Sequence, residues 1–162
     1  MNIRIGKSLI GNKNKSFIIA EMSGNHNSSL SEAIKIIKKA KKCGANAVKL
    51  QTYTADTITL KSNKSDFLIP KNSPWYQKKN LWNLYNHAKT PWEWHKKLFK
   101  VAKKIGIEIF SSPFDETAVD FLEKLNCPYY KVSSFEMTDL PLVKKIAKTK
   151  KKNDHFNRNG KY

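Results

Sequence analysis

Glu21, Lys49, Gln51, Ser112, Lys131, Ser134 and Glu136 each stand in or just after a short apolar run. Together their types could do chemistry. Two lysines with hydroxyl neighbours suit a small, doubly charged anion, and a nearby carboxylate can act as a general acid or base. Taken singly, each residue also has a plainer reading. Lys49 and Gln51 alternate with Val48 and Leu50 in AVKLQT, which fits an edge strand with one solvated face as well as an interior lysine that meets an anion. Ser111-Ser112-Pro113-Phe114-Asp115 can be anion-binding hydroxyls, or a turn whose Asp115 caps a helix, or both. His95, on an apolar helical stripe, is expected to pack or cap rather than to ligate a metal.

The elements that must position these groups read as repeated strand–loop–helix units. Phe17 to Ala20 is a run suited to a strand buried on both faces, with Glu21 at its end and the polar turn Ser23 to Asn27 after it. A helix follows from about Leu30 to Cys43, closed by Gly44. Ala45 to Thr52 is the second strand. Residues 53–90 form a long excursion, expected as loop over Asp56 to Pro74 and as helix over Trp75 to Ala88. Thr90 is expected to cap the next helix, with Pro91 at its first position and Gly106 past its end. Ile107 to Phe110 is the third strand, and a helix runs from about Glu116 to Leu125. Tyr129 to Ser133 is the fourth strand, and Asp139 caps a last helix from about Leu140 to Lys148. Residues 3–10 alternate around Gly6-Lys7 as a small hairpin. Alternation of strands and helices predicts an α/β fold with a parallel sheet, and ligands at the strands' C-terminal ends. At 162 residues the chain is shorter than a complete (β/α)8 barrel, which takes roughly 200 or more.

The formal charge is +18, from 31 basic and 13 acidic residues. That balance admits nucleic-acid binding. However, the only arginines are Arg4 and Arg158, and the lysines fall mostly on outer helix faces, such as Lys38, Lys39, Lys41 and Lys42. A lysine-rich, AT-biased coding sequence accounts for this, so no specific nucleic acid is expected. No glycine-rich phosphate loop is present, which argues against nucleotide binding. Cys43 and Cys127 fit no metal or redox spacing and are expected as buried or half-buried thiols in a reducing compartment. No signal segment or membrane-length apolar run occurs, so a cytoplasmic location is expected.

The segments IIAEMSGNHN, AVKLQTYT, TPWEWH, SSPFD, AVDFLE, YKVSSFE and DLPL occur in the order and spacing of the sialic acid synthase family. SGNHN and TPWEWH resemble its pseudaminic acid synthase branch more than the N-acetylneuraminate synthases; an N-acetylneuraminate or legionaminate synthase piece is the alternative. The resemblance covers about residues 17–148. It implies a (β/α)8 barrel of which this chain holds about the first four βα units, behind an N-terminal hairpin at 1–16. It implies condensation of phosphoenolpyruvate with an N-acetylated amino sugar, a 2,4-diacetamido-2,4,6-trideoxy hexose in that branch, to a nonulosonic acid with C–O cleavage. By motif, Lys49, Ser112, Lys131 and Ser134 match phosphoenolpyruvate-binding positions. Gln51 and Glu136 match positions near the reacting carbons, and Glu21 matches the catalytic carboxylate. Ser112 stands where many relatives carry Thr, and Ser133 and Phe135 where sialate synthases carry Gly. The resemblance also implies a divalent cofactor, Mn2+ or Mg2+, and a homodimer whose C-terminal domain lends an arginine to the partner's sugar site.

Beyond Lys148 the family pattern is expected to stop. KKKNDHFNRNGKY is polar and lacks strand periodicity. Asn153 to Tyr162 can be encoded so that a one-base shift reads Met-Ile-Ile-Ser-Thr-Gly-Met-Ala-Asn, the fifth strand the family would show, which makes 149–162 a frameshift candidate. The family's two metal-binding histidines would then lie past this chain. It is accordingly expected to bind metal poorly, to lack synthase activity and to self-associate. Two rival expectations are a basic RNA- or membrane-binding module and a half that complements a separate downstream piece.

Overall fold

In the computed structural model, which describes residues 3–5, 8–11, 13–149 and 153–155, strand order follows chain order. The strands β3 (Ile19–Glu21), β4 (Ala47–Thr52), β5 (Glu108–Pro113), β6 (Tyr130–Val132) and β7 (Asn153–His155) make one sheet, each parallel to the next. A doubly wound sheet reverses its order at a switch point, whereas a (β/α)8 barrel wall does not. The fold is therefore a partial barrel wall. A separate antiparallel hairpin pairs β1 (Ile3–Ile5) with β2 (Ser8–Ile10), with Ile5 opposite Ser8.

Helices α1 (Leu30–Lys42) and α4 (Trp92–Ile105) cover one part of the sheet's outer face, where Ala33, Ile37, Leu98 and Ala102 meet Val48, Leu50 and Ile109. Helices α5 (Glu116–Lys124) and α6 (Leu140–Lys148) cover the neighbouring part, burying Val119, Leu122, Leu142 and Ile146 against Tyr130 and Val132. The core is thus a layer between sheet and helices. A second apolar patch of Ala47, Phe110 and Tyr129 closes the floor of the inner face. Tyr130 reaches the same layer with its hydroxyl donating to Glu123; burial and that bond raise the phenol's pKa. None of the described helices is long and apolar enough to cross a membrane.

Caps set the helix starts. Ser29 accepts from the Glu32 amide, and Asp139 from the Leu142 amide at 3.0 Å. Asp115 accepts from the amides of Thr117 at 2.9 Å and Ala118 at 3.3 Å, as expected. Asp115→Ala is predicted to cost about 1 kcal/mol, read as a lower urea midpoint with unchanged slope.

Several boundaries differ from expectation for local reasons. The cap at α4 is Pro91, not Thr90, because the Thr90 hydroxyl is engaged elsewhere. The excursion opens with a short helix, α2 (Ala55–Ile58), and holds two single 3-10 turns rather than plain loop. Its main helix, α3, spans only Leu81–Ala88: Lys79 takes φ +67°, and Asn80 then caps by accepting from the Asn83 amide at 2.9 Å. The third strand extends through Ser111, Ser112 and Pro113, because β4 offers partners as far as Thr52. Cys43 is exposed and Cys127 buried. Finally, Asn153–His155 pairs in parallel with β6 where no strand was expected. An open sheet edge offers backbone donors and acceptors to any extended segment, whatever its side-chain pattern.

Candidate functional site

Side chains alternate across a strand, so the register decides which ones meet. Glu21 lies beside Lys49, Lys49 beside Phe110, and Gln51 beside Ser112. On β6, Tyr130 lies beside Ser111, which places Lys131 on the side of Ser112. Glu21, Lys49, Gln51, Ser112 and Lys131 therefore share the inner face, away from the helices. Lys49 is not on a solvated face: its side chain is only 12% exposed and its ammonium pairs with the Glu21 carboxylate. Lys131 is half-buried.

Around this floor several polar atoms are placed to meet a ligand. Ser112 is buried, and its Oγ has no hydrogen-bond partner among the described residues; the same holds for Glu136 Oε2. Such buried orphans are costly unless something else satisfies them. Ser23 Oγ donates to Gln51 Oε1 at 3.3 Å. Ser134 is exposed and opens the turn Phe135–Thr138 instead of extending the strand. It stands at the rim, while Glu136 two residues later lines a cavity.

Two adjoining cavities lie beside the floor. One, of about 380 Å³, is bordered by Ser23, Asn25, Trp75 and Leu84. The other, of about 410 Å³, is bordered by Thr57, Phe114, Phe135 and Glu136. Gln51, Tyr53 and Tyr85 line both. The Tyr53 ring stands edge-on to Tyr85 at 6.2 Å and to Phe114 at 5.4 Å. Burial, and Tyr85 next, push the Tyr53 phenol up to about 12, so at neutral pH it is an uncharged donor. The first cavity has no charged side chain in its wall. Cations thus stand on the strand floor, and neutral amphipathic groups on the excursion side.

Tyr53, Tyr85, Trp75 and Ser23 did not emerge from the sequence as site residues. For Tyr53 the signal was present, because it continues the odd-numbered series Lys49, Gln51. Tyr85 and Trp75 carried only a helical aromatic spacing, which reads as core.

Among the described residues, no three histidine, cysteine or carboxylate side chains come together as a metal site. Glu136 Oε2 is a single available donor. That set does not hold a divalent ion alone. His95 is buried in a separate network behind the sheet. Its Nδ1–H donates to the Pro91 carbonyl at 3.2 Å, which leaves Nε2 to accept from the Thr52 hydroxyl at 2.9 Å; Ser111 Oγ lies 2.7 Å from the same hydroxyl. It packs on Phe121, as a structural histidine should.

Residues 36–153 match the model of the NeuB family. A pseudaminic acid synthase of Campylobacter jejuni is 52% identical over 145 residues, 88% of this chain and 42% of that protein. The pseudaminic acid synthase of Helicobacter pylori is 48% identical over 134 residues, 83% of this chain and 39% of the relative. This chain therefore spans about two fifths of the curated relatives it matches. An N-acetylneuraminic acid synthetase from Leptospira borgpetersenii shares the fold, with a TM-score of 0.80 at 24% identity over 96% of this chain and 49% of that one. On this evidence the chain belongs to the NeuB family.

Proposed function

We propose that this chain supplies the phosphoenolpyruvate-binding side of a pseudaminic acid synthase-type site. The observation that carries the reading is the inner-face grouping of Lys49, Ser112 and Lys131 next to one cavity with an uncharged wall and a second bordered by Glu136. The phosphate and carboxylate of phosphoenolpyruvate would lie on the two ammonium groups and the Ser112 hydroxyl, which gives that orphaned oxygen a partner. Ser134 would close the anion site from the rim. The N-acetylated amino sugar would occupy the cavities, with its ring and acetamido methyl groups against Tyr53, Tyr85 and Trp75 and its polar edge on Gln51. In the reaction a C–C bond joins the two substrates, water enters, and the C–O bond of phosphoenolpyruvate breaks to release phosphate. Glu136, whose Oε2 lacks a partner, and Glu21, ion-paired to Lys49, are the carboxylates placed to hold or move a proton there.

Family membership is consistent with a metal-dependent synthase. In this reading manganese or magnesium would draw most of its donors from beyond the described residues. The homodimer and the cytoplasmic location belong to the same reading; the two free cysteines suit a reducing compartment.

The reading is tested by titrating the 162-residue chain with phosphoenolpyruvate, followed by 31P line width and calorimetry. Saturable binding is expected, with inorganic phosphate a weaker competitor because it lacks the carboxylate. Absence of any saturable effect would sink the reading.

One observation favours a different reading, a surface for polyanions. Exposed lysines of α1, such as Lys38 and Lys42, join those of α4, such as Lys100 and Lys103, on one basic ridge, since the two helices pack side by side. Lys41 Nζ even donates to the Gly106 carbonyl at the end of α4, at 2.8 Å. The ridge has no arginine to grip phosphate bidentately. A gel shift that persists at physiological salt would favour this reading; one lost there is non-specific attraction.

A further inference from the structure

The loop from Ser23 to Ser28 is strained. Ser23, Asn27 and Ser28 take φ of 48°, 52° and 55°, the left-handed region that a non-glycine residue enters at a cost. Such a conformation persists only where its surroundings over-determine it. Gly24 packs closely: a Cβ there would meet the Ala88 carbonyl at 3.1 Å and Ala88 Cβ at 3.2 Å, tight enough that Ala88 would have to shift by a few tenths of an ångström. The loop is thus pressed against the end of α3, and Ser28 Oγ donates to the His87 carbonyl at 3.0 Å.

His26 is the residue at the centre of this contact. It is fully buried, and both ring nitrogens are engaged. The Ser28 amide donates to Nδ1 at 3.2 Å, so the neutral ring carries its proton on Nε2 and donates to Thr90 Oγ1 at 3.3 Å. Its ring stands edge-on to Trp94 at 5.4 Å. One side chain thereby ties the β3–α1 loop to both the excursion's last residue and α4. The loop's opposite side carries Ser23, Gly24 and Asn25, which line the first cavity, and Ser23 bonds Gln51.

We propose that His26 is a positioning residue: it lines neither of these two cavities, but it holds the strained loop so that Ser23 and Asn25 form the polar wall that receives the uncharged sugar. This rests on the placement of the sugar proposed above. It also explains why the Thr90 hydroxyl is withdrawn from the cap of α4.

The test compares the 162-residue chain with its His26→Ala and His26→Asn variants. Asn can keep an acceptor near the Nδ1 position, whereas Ala cannot. The ligand-free readout is the exchange rate of the Ser28 amide and the chemical shifts of Ser23, Asn25 and the Gln51 side-chain amide. His26→Ala is expected to speed Ser28 exchange by about tenfold or more and to move all three shifts, and His26→Asn to restore most of both. Unmoved Ser23, Asn25 and Gln51 signals in His26→Ala would overturn the proposal. So would equal loss in both variants together with a collapsed thermal transition, which would mark a merely structural residue. With a 2,4-diacetamido-2,4,6-trideoxy hexose as the sugar probe, His26→Ala is expected to weaken binding by about tenfold while phosphoenolpyruvate binding stays within about twofold. Failure of the unmutated chain to bind phosphoenolpyruvate would count against the functional reading and leave the amide readout of His26 standing.

Discussion

Lys49→Met is expected to weaken phosphoenolpyruvate binding by about a hundredfold. Two effects add. A charge-assisted hydrogen bond from the ammonium contributes about 1.5–3 kcal/mol. Removing it also strips Glu21 of its cation, and a carboxylate left beside the site then repels the incoming anion. Met is nearly isosteric and suits a position with only 12% of its side chain exposed, so the fold should survive; an unchanged thermal midpoint checks this. Lys131→Met is expected to lose a comparable amount, and the double variant to show no saturable binding by calorimetry. Glu21→Gln supplies the opposite sign. It removes the competing partner of Lys49, so binding of phosphoenolpyruvate should stay equal or tighten. If Lys49→Met binds as the unmutated chain does, the lysine floor is not the anion site.

Acid should destabilise this protein through His95. Burial lowers its pKa from the ordinary 6.5 to about 4; the hydrogen bond to Pro91 and the charge of Glu93 oppose that shift but do not overcome it. The unfolded chain takes up this proton near pH 6.5, whereas the folded one resists until about 4. The stabilising contribution is therefore complete above about pH 6.5 and drains away as pH falls to about 4. Over that window it amounts to about 3 kcal/mol. The physical cause is burial: the ring lies in a closed site where a charged imidazolium would lose its hydration. Carboxylates elsewhere titrate in the same range, so the measurement is a difference. His95→Gln should be less stable at pH 7, where it loses the fitted imidazole, but its stability should fall less steeply between pH 6.5 and 4. Parallel pH curves for the two proteins would refute the assignment.

Local chemistry sufficed for much of what was legible beforehand. Asp115 and Asp139 cap because a carboxylate just ahead of an apolar-periodic run has free amides within reach. That Lys49 shares a face with Gln51 and stands opposite Val48 and Leu50 was legible because a period-two alternation holds in any strand that forms; whether that face was interior or solvated was not. The seven ordered segments carried the family, and the functional expectations followed from it.

Other features depend on residues distant in the chain. Nothing near Thr90 says that its hydroxyl turns back to His26, 64 positions away, instead of capping α4. Nothing near Tyr85 separates a packing aromatic from one that lines a cavity; that depends on where the excursion lies against Tyr53. The pairing of Glu21 with Lys49 needs the parallel register of β3 on β4, and the strand at Asn153–His155 needs the open edge of β6. A residue's own neighbours set its backbone preference and its face. Which groups it meets across that face is set by strand register and loop closure, terms that involve two distant segments at once and so leave no mark on either alone.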